Sequence, residues 1–550
     1  MDENQKFEDK VKEGMENYFR RNPKIAVIFG KEEYEMEVES GTGEHIEDNL
    51  KWFTLWIDEL RQLNEKKLNF ENKITLKTIR YYHDIKLFMH DAYPIWKKDP
   101  NGLTYLQDII FLLFQRKGPT IKIANVIIKH LKNLPKYLEE FQSRFDETPI
   151  PLAWRNLALD QIHSTPKFFQ TLSEAFIETS DISESLYNKL QKAFKEAELD
   201  IQTHIEWIKG LPVDESEFAW ALGQENLDKL LNLRGLPWNR ETILKKGMGV
   251  FNSLLKRLKT LAKEIDPTKT LSEVIRDVFK KDKINTFQEV LEHARSESKR
   301  AKKFIKSKNL ASIPQENLVI VETPPHLIYT IPSAAYNPAP YFDKDQPGIY
   351  MITPVQNQED SLGYSYSMIS NAMVHESYPG HHLDFACNNE NAPLPRLFGS
   401  ALETIEGWAH YCEEMMLQQG FYEDPDKAER FIKGDQLFRA IRVILDIQLH
   451  CKQRTIEDAI KMLMNILGMS ADAAKAEVLR YSSTPGYCMS YLIGKLLIEE
   501  LRQDIEEKMR RNFSLKFFHD TILKSGDLPF FLLKEYFEEI IKNKELMIEQ

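Results

Sequence analysis

Apolar side chains recur at three- and four-residue spacing through most of the first 310 residues. Leu50-Lys51-Trp52-Phe53-Thr54-Leu55-Trp56-Ile57-Asp58-Glu59-Leu60 is one such stretch, and Leu254-Leu255-Lys256-Arg257-Leu258-Lys259-Thr260-Leu261 is another. That period lines apolar positions along one face of a helix and predicts helices packed through those faces. Proline and glycine mark breaks at Gly210-Leu211-Pro212 and Gly235-Leu236-Pro237. This half carries no chemical motif, so its expected role is to wall a site supplied by the rest of the chain.

The pattern changes near residue 311. Residues 317–322 form a short β-branched run, and Gly348-Ile349-Tyr350-Met351-Ile352-Thr353 reads as a second strand. Between them lies an irregular aromatic and proline-rich stretch, Tyr336-Asn337-Pro338-Ala339-Pro340-Tyr341-Phe342. The two strands predict a small sheet, and the second is a candidate to align an extended peptide through main-chain hydrogen bonds. Helical patterning resumes near Tyr366. The expected organisation is a helical domain over 1–310 and a chemistry-bearing domain over 311–550.

Composition narrows the picture. A chain of 550 residues exceeds what one core usually serves. With 42% hydrophobic and 29% charged residues it is globular rather than disordered, and only 22 glycines favour helices over turn-rich β structure. A net charge of −11 argues against nucleic acid as a partner. The polar start Met1-Asp2-Glu3-Asn4-Gln5-Lys6, and apolar runs as short as Ile109-Ile110-Phe111-Leu112-Leu113-Phe114, predict neither signal peptide nor membrane span. A cytoplasmic protein is expected on those grounds. Cys387, Cys412, Cys451 and Cys488 form no C-x-x-C pair and are expected to be reduced thiols in packed helices.

Chemistry concentrates at His375-Glu376-Ser377-Tyr378-Pro379-Gly380-His381-His382. An adjacent His-Glu followed by a further histidine is the pattern of zinc hydrolases. In H-E-x-x-H, residues four apart share one helix face, so both imidazoles reach one metal at about 2.0–2.1 Å and the glutamate faces its water. Here Pro379 occupies the fourth position, and the histidines come six and seven residues on. Offset six points about 240° away on a regular helix, and offset seven lies about 10.5 Å along the axis. A Pro-Gly bulge that loops out two residues would return His381 to the metal.

H-E-x-x-P-G-H resembles the signature of an uncharacterised prokaryotic family known as a domain of unknown function. That family is itself similar to helical zinc peptidases of the gluzincin type, such as carboxypeptidase Taq. Glu406-Gly407-Trp408-Ala409-His410-Tyr411-Cys412-Glu413 resembles the family's E-G-W-A-x-Y-x-E. Arg439, Arg442, Asp446 and His450 are similar to its R-x-x-R-x-x-x-D-x-x-x-H, and the segment from Tyr481 through Pro485-Gly486 to Tyr491 and Gly494 to its Y-x-x-x-P-G-x-x-x-S-Y-x-x-G.

The resemblance implies a mainly α, gluzincin-like helical body enclosing a channel, with the small sheet beside the metal-binding helix. It implies zinc (Zn2+) held by His375, His381 and Glu406, with Glu403 and Glu413 as competitors for the third place. Glu376 is the implied general base. Tyr491 and His450 are candidate oxyanion donors. Arg442 is a candidate for a substrate carboxylate, which would make a carboxypeptidase, and Tyr487 and His382 are candidate substrate contacts. His410 is a candidate partner of the ligands. Peptide is the expected partner, with neither nucleic acid nor membrane, and a homodimer is left open. Two other functions stay on the table: a zinc hydrolase of a non-peptide amide or ester, and a binding protein with a relic metal site, against which the intact Glu376 argues.

Overall fold

The computed structural model describes residues 2–177, 182–324, 328, 331, 333–343, 345–355 and 363–548, and within them the chain is mainly helical. The periodic segments lie where the pattern places them. The helix Gly43–Arg61 buries Leu50, Phe53, Trp56, Ile57 and Leu60, and Arg240–Ile265 buries Leu254, Leu258 and Leu261. Side-chain caps start many of these helices: Thr42 accepts from the His45 amide, and Thr270 with Glu273 and Thr286 with Glu289 form reciprocal capping boxes. The helix Glu184–Gly210 stops at the predicted break. None of the described helices is long and apolar enough to cross a membrane.

Among the described residues, five short strands accompany the helices: β1 (Ile150–Pro151), β2 (Val213–Asp214), β3 (Leu318–Glu322), β4 (Ala334–Asn337) and β5 (Gly348–Ile352). β1 and β2 form a two-residue parallel pair. The other three form one sheet in the order β3-β5-β4, with β3 parallel to β5 and β4 antiparallel to it. Two of these strands were expected and the third was not. Ala334-Ala335-Tyr336-Asn337 carries no β-branched residue and runs into Pro338, so propensity gives it no signal. It corrects the expectation for the segment at 348–353. β5 is the central strand and both its edges are taken, so it cannot bind a peptide main chain. An outer edge belongs instead to β4.

Six helices of the C-terminal half position the site: α1 (Tyr366–Glu376), α2 (His381–Asn391), α3 (Leu402–Gln418), α4 (Pro425–His450), α5 (Ala471–Ser483) and α6 (Ser490–Met509). The largest apolar cluster joins both halves of the chain. Leu230, Leu254 and Leu258 pack in the same core as Trp408, Ile441 and Leu492. Burying each such side chain contributes about 1.5–3 kcal/mol, and that core fixes the helices carrying the site against the N-terminal wall. All four cysteines are unpaired, as expected.

α3 and α6 cross at a glycine contact. A Cβ on Gly407 would stand 2.5 Å from the Gly494 Cα, and one on Gly494 would stand 2.0 Å from the Glu403 carbonyl oxygen. Only hydrogen at both positions lets the two backbones touch.

Candidate metal centre

α1 ends at Glu376 and α2 begins at His381, so the helix does not bulge; it breaks and restarts. The Tyr378–Pro379 peptide is cis. Gly380 presses against the end of α1, where a Cβ would lie 1.7 Å from the His375 carbonyl oxygen. Its amide donates to Val374 O at 3.0 Å, and Trp408 Nε1 donates to Pro379 O at 2.8 Å. Thus the tryptophan of the E-G-W segment clamps the turn of the H-E-x-x-P-G-H segment.

The turn delivers His381, and not His382, to His375. Their rings stand 4.9 Å apart and nearly perpendicular. His381 Nε2 lies 3.4 Å from Glu406 Oε2. Ligand atoms of His375, His381 and Glu406 all fall within 4.8 Å of one another, and all three residues are buried. A tetrahedral zinc with bonds of about 2.1 Å separates its ligand atoms by about 3.4 Å, so the trio needs only slight closing. The donor set of two imidazoles and a carboxylate suits zinc. His381 Nδ1 is buried with no hydrogen-bond partner among the described residues. Burial opposes charge on Glu406, but bonds and charges from His381, His375 and Tyr487 bring its pKa down to about 2.

Glu413 is no ligand. Its Oε1 accepts from His375 Nδ1 at 2.8 Å and its Oε2 from Asn371 Nδ2 at 3.0 Å, leaving His375 Nε2 for a metal. Burial works against ionised Glu413, yet His410 and His375 hold its carboxyl well below the usual range. This is the carboxylate–histidine arrangement that orients metal-bound imidazole. Glu413→Gln is expected to weaken zinc binding about 10- to 100-fold, read by competition with a chelator; wild-type affinity would remove Glu413 from that role. Glu403, the other competitor, is buried in an ion pair with Arg234 at 2.6 Å. His410, Glu413 and Asp435 form a second cluster, but Arg439 already supplies its cation at 2.9 Å from Asp435.

Glu376 follows His375 directly and is half-buried, and its side chain has no hydrogen-bond partner among the described residues. Tyr491 stacks over His375 with ring centroids 6.4 Å apart. Burial and the charge of Glu406 push its hydroxyl up to about 12, so it remains a donor at neutral pH.

Four sequence-based assignments need correction. Tyr487 donates to Glu406 Oε1 at 2.7 Å, so its hydroxyl is committed to that carboxylate and is not free for substrate. His382 is buried with one ring nitrogen on Glu316 and the other 3.0 Å from Tyr336 Oη, which leaves it no free nitrogen for substrate. His450 has Nδ1 on the Leu222 amide and Nε2 on Tyr481 O, and burial lowers its pKa to about 4. It is a core histidine, not an oxyanion donor. Arg442 is paired with Glu477 at 3.0 Å and donates to Tyr481 Oη at 3.1 Å, so a substrate carboxylate would have to displace Glu477.

Asp446 accepts from the amides of Gly486 and Met489 and thereby holds the Pro485-Gly486 turn that carries Tyr487 and Tyr491. Asn371 and Arg439 were missed as site residues. Asn371 precedes His375 by one helical turn, which was a readable signal. The motif around Arg439 assigns that residue no role of its own, yet its guanidinium lies 5.1 Å from the Tyr491 ring.

Residues 23–536 match the family described as "Bacterial protein of unknown function (DUF885)". No curated protein matches the chain. Two solved structures share the fold. One is a "putative lipoprotein of unknown function" from Shewanella oneidensis, with a TM-score of 0.76 and 19% identity over 96% of this chain and 99% of that one. The other is a "putative lipoprotein" from Colwellia psychrerythraea, with a TM-score of 0.82 and 19% identity over 99% of this chain and 100% of that one. These neighbours overturn the cytoplasmic expectation. A polar opening segment and unpaired thiols do not fix the compartment of a fold that proteins described as lipoproteins also carry.

Proposed function

The chain belongs to the DUF885 family of bacterial proteins, and we propose that it is a zinc-dependent peptidase acting on short or unfolded peptides. The observation that carries the reading is the buried trio His375, His381 and Glu406, with Glu376, the residue after His375, half-buried and its carboxylate without a hydrogen-bond partner among the described residues. It is the donor set and general base of the gluzincin type, on two helices joined by a Pro-Gly turn.

His375, His381 and Glu406 would hold the zinc, which would supply Lewis acidity and lower the pKa of a bound water. Glu376 takes the proton of the attacking water and passes it to the leaving amine. Tyr491 donates to the oxyanion that forms on the scissile carbonyl. Glu413 and Tyr487 keep His375 and Glu406 in place during the reaction. β4 offers an outer strand edge to an extended peptide. Recognition of a free C-terminal carboxylate by Arg442 is not part of the proposal, because Glu477 occupies that guanidinium.

Zinc content measured alongside cleavage of a mixed peptide library, with products read by mass, tests the proposal. One zinc per chain and cleavage abolished by chelation are expected. No bound zinc at neutral pH, or a library left intact by the loaded protein, defeats it; cleavage confined to non-peptide esters or amides would point to another hydrolase. Zinc binds the folded site selectively, so its removal should also lower Tm by a few degrees, measured by calorimetry with and without chelator.

A further inference from the structure

Three arginines stand against the tyrosines beside the trio. Arg439 and Arg442 are three residues apart on α4 and so share one face of that helix, while Arg480 comes from α5. The guanidiniums of Arg439 and Arg442 each lie 5.1 Å from the Tyr491 ring, and that of Arg480 lies 5.7 Å from the Tyr487 ring. Both distances are within cation–π range. The same two rings lead straight to the trio. Tyr487 donates to Glu406 at 2.7 Å, its hydroxyl is 3.3 Å from that of Tyr491, and Tyr491 stacks over His375. Both tyrosines are half-buried, so part of each ring stays open to solvent.

These cations outnumber the carboxylates bonded to them. Arg439 donates to Asp435 at 2.9 Å, yet its Nε is buried with no hydrogen-bond partner among the described residues. Arg442 and Arg480 share Glu477. Arg442 donates to its Oε2 at 3.0 Å, Arg480 to the same oxygen at 2.9 Å, and Tyr481 Oη to that oxygen as well at 2.6 Å. One oxygen thus serves three donors, and one negative charge is divided between two guanidiniums with five N–H groups each. Burial opposes ionisation of Glu477, but Arg442 and Arg480 bring its pKa down to about 2, so that charge is already committed. Arg442 is buried, whereas 37% of the Arg480 side chain is exposed. A second carboxylate can therefore join Arg480 with Glu477 still in place. In a chain of net charge −11, a local excess of cations beside the trio attracts anions that the rest of the surface repels.

We propose that Arg480 binds a carboxylate of the substrate, so that the site selects peptides with an acidic residue or a free C-terminus within a few residues of the scissile bond. An extended peptide advances about 3.3–3.6 Å per residue, so two or three residues carry such a group past the Tyr487 ring. The inference rests on the peptidase reading for the bond that is cut, but carboxylate binding at Arg480 stands without it. The zinc-loaded protein is titrated with N-acetyl-glutamate α-amide, N-acetyl-alanine and the uncharged N-acetyl-glutamine α-amide by ligand-detected NMR. Values of kcat/KM are then compared for peptides that differ only by glutamate or glutamine, and for free-acid and amidated C-termini. The first pair reads an acidic side chain and the second the chain end. In at least one pair the charged form is expected to be favoured about 10- to 100-fold, and the uncharged amide not to bind. Arg480→Ala should bring that ratio towards one. Arg480→Glu should reverse it in favour of a lysine peptide, a gain that misfolding cannot produce; zinc content and melting report that each variant is folded. Equal cleavage within both pairs, or a preference that survives in a folded Arg480→Ala protein, overturns the assignment. Carboxylate binding that Arg480→Ala abolishes, in a protein that cleaves no peptide, supports the Arg480 site and overturns the peptidase reading instead.

Discussion

Glu376→Gln is expected to keep one zinc per chain and to lower kcat about 100- to 10,000-fold. The amide has the size of the carboxylate but cannot take a proton. Glu376 is a neighbour of His375 in sequence, yet it stands outside the buried trio and its side chain has no hydrogen-bond partner among the described residues. Nothing structural should change with it, which separates loss of chemistry from loss of fold. Metal analysis and steady-state kinetics on the same preparation decide the matter. Full activity with glutamine at 376 would sink the general-base assignment, and loss of zinc would move Glu376 into the metal-holding set.

Gly494→Ala should have the second large effect. Its Cβ would lie 2.0 Å from the Glu403 carbonyl oxygen and 2.7 Å from the Gly407 Cα, so backbone, not a flexible side chain, must yield. Overpacking of this kind costs about 1–3 kcal/mol, and more where nothing can move. Separation of α3 from α6 also draws Glu406 away from Tyr487, which it meets at 2.7 Å. A Tm lower by several degrees and zinc binding weakened at least about tenfold are expected. Gly249→Ala is the control: that glycine also lies in a helix, but its Cβ would meet nothing within 4 Å, and the change should be neutral or slightly stabilising. Equal melting of the two variants would remove the crossing from the account.

Part of this was readable in the chain itself. Apolar spacing locates the helices around Leu50–Leu60 and Leu254–Leu261 because one face of each is buried. The family motif and a bulge at Pro-Gly favour His381 over His382 without deciding between them; the helix breaks there instead of bulging, and the break brings His381 to His375. What opposes each side chain is not readable. Arg442, Asp446 and His450 recur every four residues on α4, as the pattern says, but they share no partner: one meets Glu477, one the Gly486 and Met489 amides, one Leu222 and Tyr481. Periodicity gives a common side of a helix and is silent about the neighbours on that side. Glu413 illustrates the same limit. By position it competes with Glu406 for the metal, and only the packing of α1 on α3 makes it the partner of His375 Nδ1 instead. β4 was invisible because its strand state comes from pairing with β5 and not from its own residues.

Trp408 grips the Pro379 carbonyl from the same helix that carries Glu406 and Glu413. The turn that joins the two histidines is therefore completed by α3, so on the zinc reading stable metal holding depends on the docking of that helix. Escape is governed in the same way. On the zinc reading, an ion among the buried trio would leave only when the Pro379 turn and α3 part, so metal exchange is expected to follow the opening of the interior and to be slow even where affinity is modest.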